Sequence, residues 1–299
     1  MRQRLISAAV LVPVVVIVFL AGDPWLTLGI AVLAGLAAYE TSRLVRGAGL
    51  ESDVAFAIVI AAAAVLATRY LLNIADGFGA FERVQPPRHL VGAEMLTIVA
   101  VVVIAAGALA LRRREPRTGF LSWAGNLIAA LYPGLLAFLT GILVVSPAIP
   151  ESALLYGKMD SGRIWILILV LTVWSFDTFA YVAGKYHGRG RFMNHISPNK
   201  TWSGVIGGTA AGVLVCTLLV WGAGQQPLAG ILLGLAITVT AQAGDLVESV
   251  LKRAAGAKDS GAIIPGHGGI LDRVDSFLFA APTMFVALTW TQLLLRPLP

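Results

Sequence analysis

Long apolar runs, interrupted at intervals by short stretches of charge, glycine and proline, set the pattern of this chain. A hydrocarbon core of about 30 Å needs roughly 20 apolar residues in a helix that rises about 1.5 Å per residue. Nine runs of about that length stand out, at roughly residues 5–22, 25–42, 54–75, 90–111, 120–146, 163–184, 204–224, 228–251 and 270–294. The pattern predicts an all-α fold, a polytopic membrane helix bundle of about nine transmembrane helices. Arg2 and Arg4 before the first run, with Ala21 and Gly22 after it, have the look of a signal peptide. The run of about 18 residues is longer than a signal core and further spans follow, so it is read as a retained helix.

Composition excludes the main alternatives. With 58% apolar and 13% charged residues, the 299-residue chain is neither an ordinary soluble enzyme nor disordered. Its mean hydropathy of +0.83 points the same way. The net charge of +6, from 22 basic and 16 acidic side chains, reports topology rather than a nucleic-acid partner. With nine spans, the N-terminus and the loops 43–53, 112–117, 185–200 and 252–269 share one side, which holds fifteen Lys or Arg. The other side holds five, Arg83, Arg88, Lys158, Arg163 and Arg296, while Arg69 and Arg273 lie inside or at the mouth of helices. That bias predicts an N-terminus and loops in the cytoplasm, with the chain in the cytoplasmic (inner) membrane. The lone Cys216 can form no intrachain disulfide and matches no metal-ligand spacing.

Ionisable residues inside a span are costly and persist where they face a cavity, a partner or an ion. In the first five spans Glu40, Arg69 and Glu94 lie close to interfaces and read as snorkelling or hydrated groups. The last four spans differ, because Asp177, Asp245, Glu248, Asp272, Arg273 and Asp275 all lie in or beside apolar sequence. The chain therefore divides into an N-terminal scaffold of about five spans, residues 1–160, and a C-terminal catalytic region of about four, residues 161–299.

On a helix that ends AQAGDLVESVLKR, Ser249 and Lys252 fall within about 40° of Asp245, and Glu248 about 60° away. The next span opens ILDRVDS, with Asp272, Asp275 and Ser276 on one side and Arg273 about 100° away. Carboxylates gathered in a low dielectric repel unless cations neutralise them. Oxygen ligands without His or Cys clusters favour Mg²⁺ over zinc. The connection AAGAKDSGAIIPGHGG carries Lys258, Asp259 and His267, and with Lys252, Arg253 and Arg273 beside it reads as a phosphate site. A second polar stretch, from Asp177 to Gly204, places Ser197 and Lys200 on a pinned turn suited to a triphosphate or a lipid phosphate. His187 and His195 there read as solvated or hydrogen-bonded groups rather than metal ligands.

The stretch from Ser249 to Asp275, SVLKRAAGAKDSGAIIPGHGGILDRVD, resembles the signature of the phosphatidate cytidylyltransferases, the CDP-diacylglycerol synthases. DTFAY and SPNKTWSG resemble that family's second region, so the likeness covers roughly residues 170–280, while the first 160 residues match only in hydrophobicity. The resemblance implies a membrane-embedded nucleotidyltransferase that joins CTP and phosphatidic acid into CDP-diacylglycerol and pyrophosphate. It implies Mg²⁺, with a monovalent cation such as K⁺, held by Asp245 and Asp272, and a homodimer in the lipid bilayer. Lys252, Arg253, Lys258 and Arg273 would then offset phosphate charge, with Ser197 and Lys200 as candidates for the same work. Ser249, Asp259, His267, Asp275 and Asp177 complete the expected substrate-binding set. A transporter would place acids near mid-membrane and show an internal repeat, which this sequence lacks. A related enzyme with another phosphorylated lipid acceptor is the closer competitor, and a purely structural scaffold would have no reason to bury these acids.

Overall fold

A computed structural model describes residues 2–77, 88–188 and 190–290. Arg83, Arg189 and Arg296, which entered the charge count, lie outside the described residues, as do the side chains of Arg2, Arg4, Arg88 and Glu94. Among the described residues there are ten helices and no strand. They are α1 (Arg2–Ala21), α2 (Trp25–Gly47), α3 (Val54–Gly77), α4 (Arg88–Ala110), α5 (Pro116–Gly134), α6 (Ala137–Val145), α7 (Ser161–His187), α8 (Trp202–Gly222), α9 (Pro227–Ala254) and α10 (Leu271–Trp290).

Each apolar run coincides with a helix, except that the fifth holds two. Pro133 has no N–H to offer the preceding turn, and the chain continues through tighter turns, Leu136 N–H to the Pro133 carbonyl at 3.1 Å and Phe138 N–H to the Leu135 carbonyl at 3.1 Å. Five stretches among the described residues are long and apolar enough to cross a membrane: Trp25–Gly47, Pro116–Val145, Ser161–His187, Trp202–Gly222 and Pro227–Ala254. Ala9–Ala21, Val54–Tyr70 and Met95–Ala110 are shorter apolar helices. The chain is an all-α membrane protein.

Two compact units interleave along the sequence, Met1–Gly141 with Val250–Val274, and Ile142–Ser249 with Asp275–Pro299. The sequence divides by chemistry near residue 160, whereas the compact units share α6, α9 and α10, each of which contributes one part to each unit.

In the first unit α2 packs on α3 and α5, and α4 on α5. Ala34, Ala37, Ala38, Ala57 and Ala61 are wholly buried, and their small size lets backbones approach where lipid leaves no hydrophobic drive between helices. The turn after α2 is fixed by side chains: the Asn126 carbonyl accepts from Asp53 N–H at 2.7 Å, and the Ser42 and Ser52 hydroxyls meet at 2.8 Å. In the second unit α8 lays a glycine seam on α7. A Cβ added at Gly208 would lie 2.7 Å from the Phe176 carbonyl, and one at Gly204 2.8 Å from that of Ala180. Asp160 caps α7 by accepting from Arg163 N–H at 2.9 Å, and Thr201 caps α8 by accepting from Gly204 N–H at 3.1 Å.

Candidate active site

The functional residues form one cluster in each unit. In the second unit the centre is Asp245 on α9, whose carboxylate lies 2.7 Å from the Lys200 ammonium. Lys200 is brought there by a closed loop. Phe192 N–H donates to the Lys200 carbonyl at 2.9 Å, Trp202 N–H to the Gly190 carbonyl at 2.9 Å, and the Phe192 and Trp202 rings meet edge to face at 4.7 Å. Arg191 adds a hydrogen bond to the Pro198 carbonyl at 2.8 Å, and the Ser197 carbonyl accepts from Lys200 N–H at 3.3 Å. Ser197 is half-buried in that turn. His187 and His195 are exposed.

Around Asp245 the acids gather. Glu248, wholly buried one turn on, and Asp275 on α10 bring carboxylate oxygens that with that of Asp245 lie within 4.8 Å of one another. Gly244 makes this possible, because a Cβ there would stand 2.4 Å from the Asp275 carbonyl. Ser249 Oγ is 3.5 Å from Asp245 Oδ1, and Asp177 on α7 interacts electrostatically with both Asp245 and Lys200. A set of hard oxygen donors with no His or Cys among them fits a divalent cation such as Mg²⁺, which would relieve their mutual repulsion.

The first unit holds the other cluster, centred on Asp272 in the first turn of α10. Its Oδ1 accepts from Lys252 Nζ at 2.8 Å, with the two side chains only 10% and 13% exposed. Its Oδ2 accepts from Ser260 Oγ at 2.9 Å, Ser260 N–H at 3.0 Å and Gly269 N–H at 2.9 Å. This carboxylate is thus engaged by four donors. The glycine-rich segment between α9 and α10 borders a cavity of about 590 Å³, with Asp259, Ile264, His267, Gly268 and Arg273 in its lining. Arg273 donates to the His267 carbonyl at 2.7 Å, which shapes the cavity wall. Arg253 donates to the Ala257 carbonyl at 3.2 Å, and Lys258 and Asp259 are exposed.

Two residues escaped the sequence reading. Glu40, expected to snorkel or hydrate at an interface, is 1% exposed; its carboxylate accepts from Leu271 N–H at 2.8 Å and shares with Asp272 the one hydroxyl proton of Ser260, whose Oγ is 3.0 Å away. Ser260, whose hydroxyl lies between Glu40 and Asp272, drew no notice because a serine in a glycine-rich turn is commonplace. Arg43, one turn from Glu40, sits 5.8 Å over the Tyr39 ring. Arg69, read as a snorkelling group, pairs with Asp23 at 2.5 Å.

The sequence pattern of the cytidylyltransferase family matches residues 2–291. The chain belongs to that family. A phosphatidate cytidylyltransferase of Synechocystis is 31% identical over 287 residues, covering 95% of this chain and 94% of the relative. Phosphatidate cytidylyltransferases of Brucella abortus and Staphylococcus aureus are each 44% identical, over 142 residues (45% of this chain, 50% of the relative) and 135 residues (44% and 52%). A cytidylyltransferase must gather the negative charge of a nucleoside triphosphate, and both clusters pair acids with lysines that can do so.

Proposed function

We propose that this cytidylyltransferase condenses CTP with phosphatidic acid, giving CDP-diacylglycerol and pyrophosphate, at the cytoplasmic face of the inner membrane. A phosphate oxygen of the lipid attacks the α-phosphorus of CTP, a new P–O bond forms, and the bond to the β-phosphate breaks to release pyrophosphate. Transfer of this kind needs alignment and charge neutralisation more than covalent help, so no nucleophilic side chain is required and Ser249 serves as a hydrogen-bond donor. Lys252, Arg253, Lys258 and Arg273 offset the charge of the leaving pyrophosphate or hold the lipid phosphate, and Lys200 and Ser197 act from the other loop. Asp259, His267 and the cavity they border receive polar substrate groups, while Asp177 and Asp275 shape the charge around Asp245.

A divalent cation at Asp245 belongs to this reading, with Glu248 and Asp275 as neighbouring carboxylates. It supplies Lewis-acid charge to phosphate oxygens when bound. Asp272, expected as a second acid on the cation, is engaged in this structure by Lys252, Ser260 and Gly269, and a monovalent cation such as K⁺ remains part of the proposal. The excess of basic residues on one set of loops supports an N-terminus and a site in the cytoplasm, and a homodimer, implied by the resemblance, belongs to the same reading.

The observation that carries the proposal is the pairing of Asp245 with Lys200 and of Asp272 with Lys252 on the two sequence regions that resemble the phosphatidate enzymes. The test is radiolabel transfer from CTP into organic-extractable lipid by the purified protein, with phosphatidic acid and Mg²⁺ present or omitted in turn. Label that depends on both is the expected result. Label that appears only with another phosphorylated lipid would replace the acceptor, and label insensitive to chelation would remove the cation.

A further inference from the structure

The two ends of the glycine-rich segment close on a single carboxylate from a distant part of the sequence. Glu40, on α2, receives Ser260 Oγ and Leu271 N–H on the same oxygen, Oε2, at 3.0 and 2.8 Å. The backbone passes so near that a Cβ at Gly261 would lie 2.2 Å from Glu40 Oε1 and one at Gly269 2.4 Å from Oε2. Oε1 makes no hydrogen bond among the described residues, so its contact with the segment is one of shape. Ser260 carries the connection onward, its Oγ 2.9 Å from Asp272 Oδ2 and 3.3 Å from Asp272 N.

We propose that Glu40 is the positioning residue of this segment, acting through Ser260 and the Leu271 N–H to set the place of Asp272 and therefore of Lys252. The inference rests on the proposed transfer reaction for its kinetic consequence but not for its structural one. Glu40 touches no substrate. It is a buried acceptor that ties the two ends of the segment together, where the contacts inside the segment, Ile264 N–H to the Gly268 carbonyl and Arg273 to the His267 carbonyl, fix only its middle. Gln keeps an oxygen acceptor of the same reach, Asp falls one methylene short, and Ala leaves the buried Leu271 N–H without its acceptor and the Ser260 hydroxyl held by Asp272 alone.

The experiment uses the full-length protein in detergent, comparing wild type with Glu40→Ala, Glu40→Asp, Glu40→Gln and a control, Thr68→Ala. Thr68 is another wholly buried polar group of the same unit, bonded at 2.9 Å only to a carbonyl of its own helix. Two readouts are taken, kcat and KM for CTP, and amide hydrogen exchange along the chain. Glu40→Ala is expected to lower kcat/KM by about 100-fold and Glu40→Asp by about 10-fold, with Glu40→Gln within about 5-fold of wild type. Exchange should rise in residues 256–272 of the Ala and Asp variants and stay at the control level elsewhere. Wild-type kcat/KM per folded molecule in Glu40→Ala, or exchange rising across α2, α3 and α5 together, overturns the proposal in favour of a plain core role. If Glu40→Ala does not fold, the Asp and Gln pair decides by the same two readouts. Should wild type transfer no label to phosphatidic acid, the proposed reaction falls, and the exchange pattern still decides the role of Glu40.

Discussion

Asp245 and Asp272 stand on consecutive helices, each beside a lysine, yet their surroundings are opposite. Asp272 is satisfied: one ammonium and three further donors take up both oxygens. Asp245 has one ammonium, from Lys200, set against the carboxylates of Glu248 and Asp275 and the charge of Asp177. The same residue type is thus built in as a tie among donors at one place and set among other carboxylates at the other. The first arrangement holds a loop in shape, and the second draws in positive charge. A single helix, α9, carries the lysine of one cluster and the acids of the other.

The sharpest way to break this comparison is to neutralise each acid. Asp272→Asn and Asp245→Asn are both expected to cut label transfer by about 1,000-fold or more, with normal membrane insertion and extraction. They should part in stability. Asp272→Asn weakens the tie to the Lys252 ammonium, at a cost of about 3 kcal/mol, whereas Asp245→Asn loses its pair with Lys200 but also relieves repulsion from Glu248, Asp275 and Asp177, so its unfolding midpoint falls less. Equal midpoints, measured by thermal unfolding in detergent, would erase the distinction between a tie among donors and a group of carboxylates.

Lys252→Ala should slow transfer by about 100-fold while Arg117→Ala, an exposed charge in the first turn of α5, changes it less than about 2-fold. Similar effects from both would mean that Lys252 is only a topological charge. Gly244→Ala forces apart the backbones that bring Asp245 and Asp275 together, with an expected loss of about 1–3 kcal/mol of stability and a weaker Mg²⁺ dependence of transfer. The smallest effect is expected from Glu248→Gln, which removes one charge from that group. Its midpoint in chelator should rise by about 1 kcal/mol of stability and its response to added Mg²⁺ should shrink. A variant with an unchanged Mg²⁺ response would take Glu248 out of the cation's surroundings.

Much of this was legible in the sequence. Apolar run length alone located the helices, because in lipid the backbone must satisfy its hydrogen bonds within the segment. What run length cannot report is a break inside an apolar stretch. Pro133 lies among residues as apolar as its neighbours, so the division between α5 and α6 shows only when the lost hydrogen bond is counted. The acids of α9 and α10 were legible because a carboxylate in a span is costly enough to need a reason. Glu40 met the same criterion and was still passed over, since its nearness to the end of a span offered an easy local explanation. Its true partners, Ser260 and Leu271, lie more than 200 positions along the chain, and helical periodicity has no reach of that kind. The compact units likewise follow contacts that join the start of the chain to residues 250–274.

The glycine seam of α8 also divides that helix in evolutionary time. On one side Gly204, Gly208 and Gly212 meet backbone or side chain at 2.8, 2.7 and 2.5 Å of an added Cβ, so almost every replacement is barred by volume. On the other side Ile206, Leu214 and Leu218 are more than half exposed and need only stay apolar for a lipid that does not distinguish one aliphatic shape from another. The helix should therefore drift at two rates within a single turn, nearly frozen along one line and close to neutral along the other. A saturation library of these six positions, scored for folded protein, would read out both rates in one experiment.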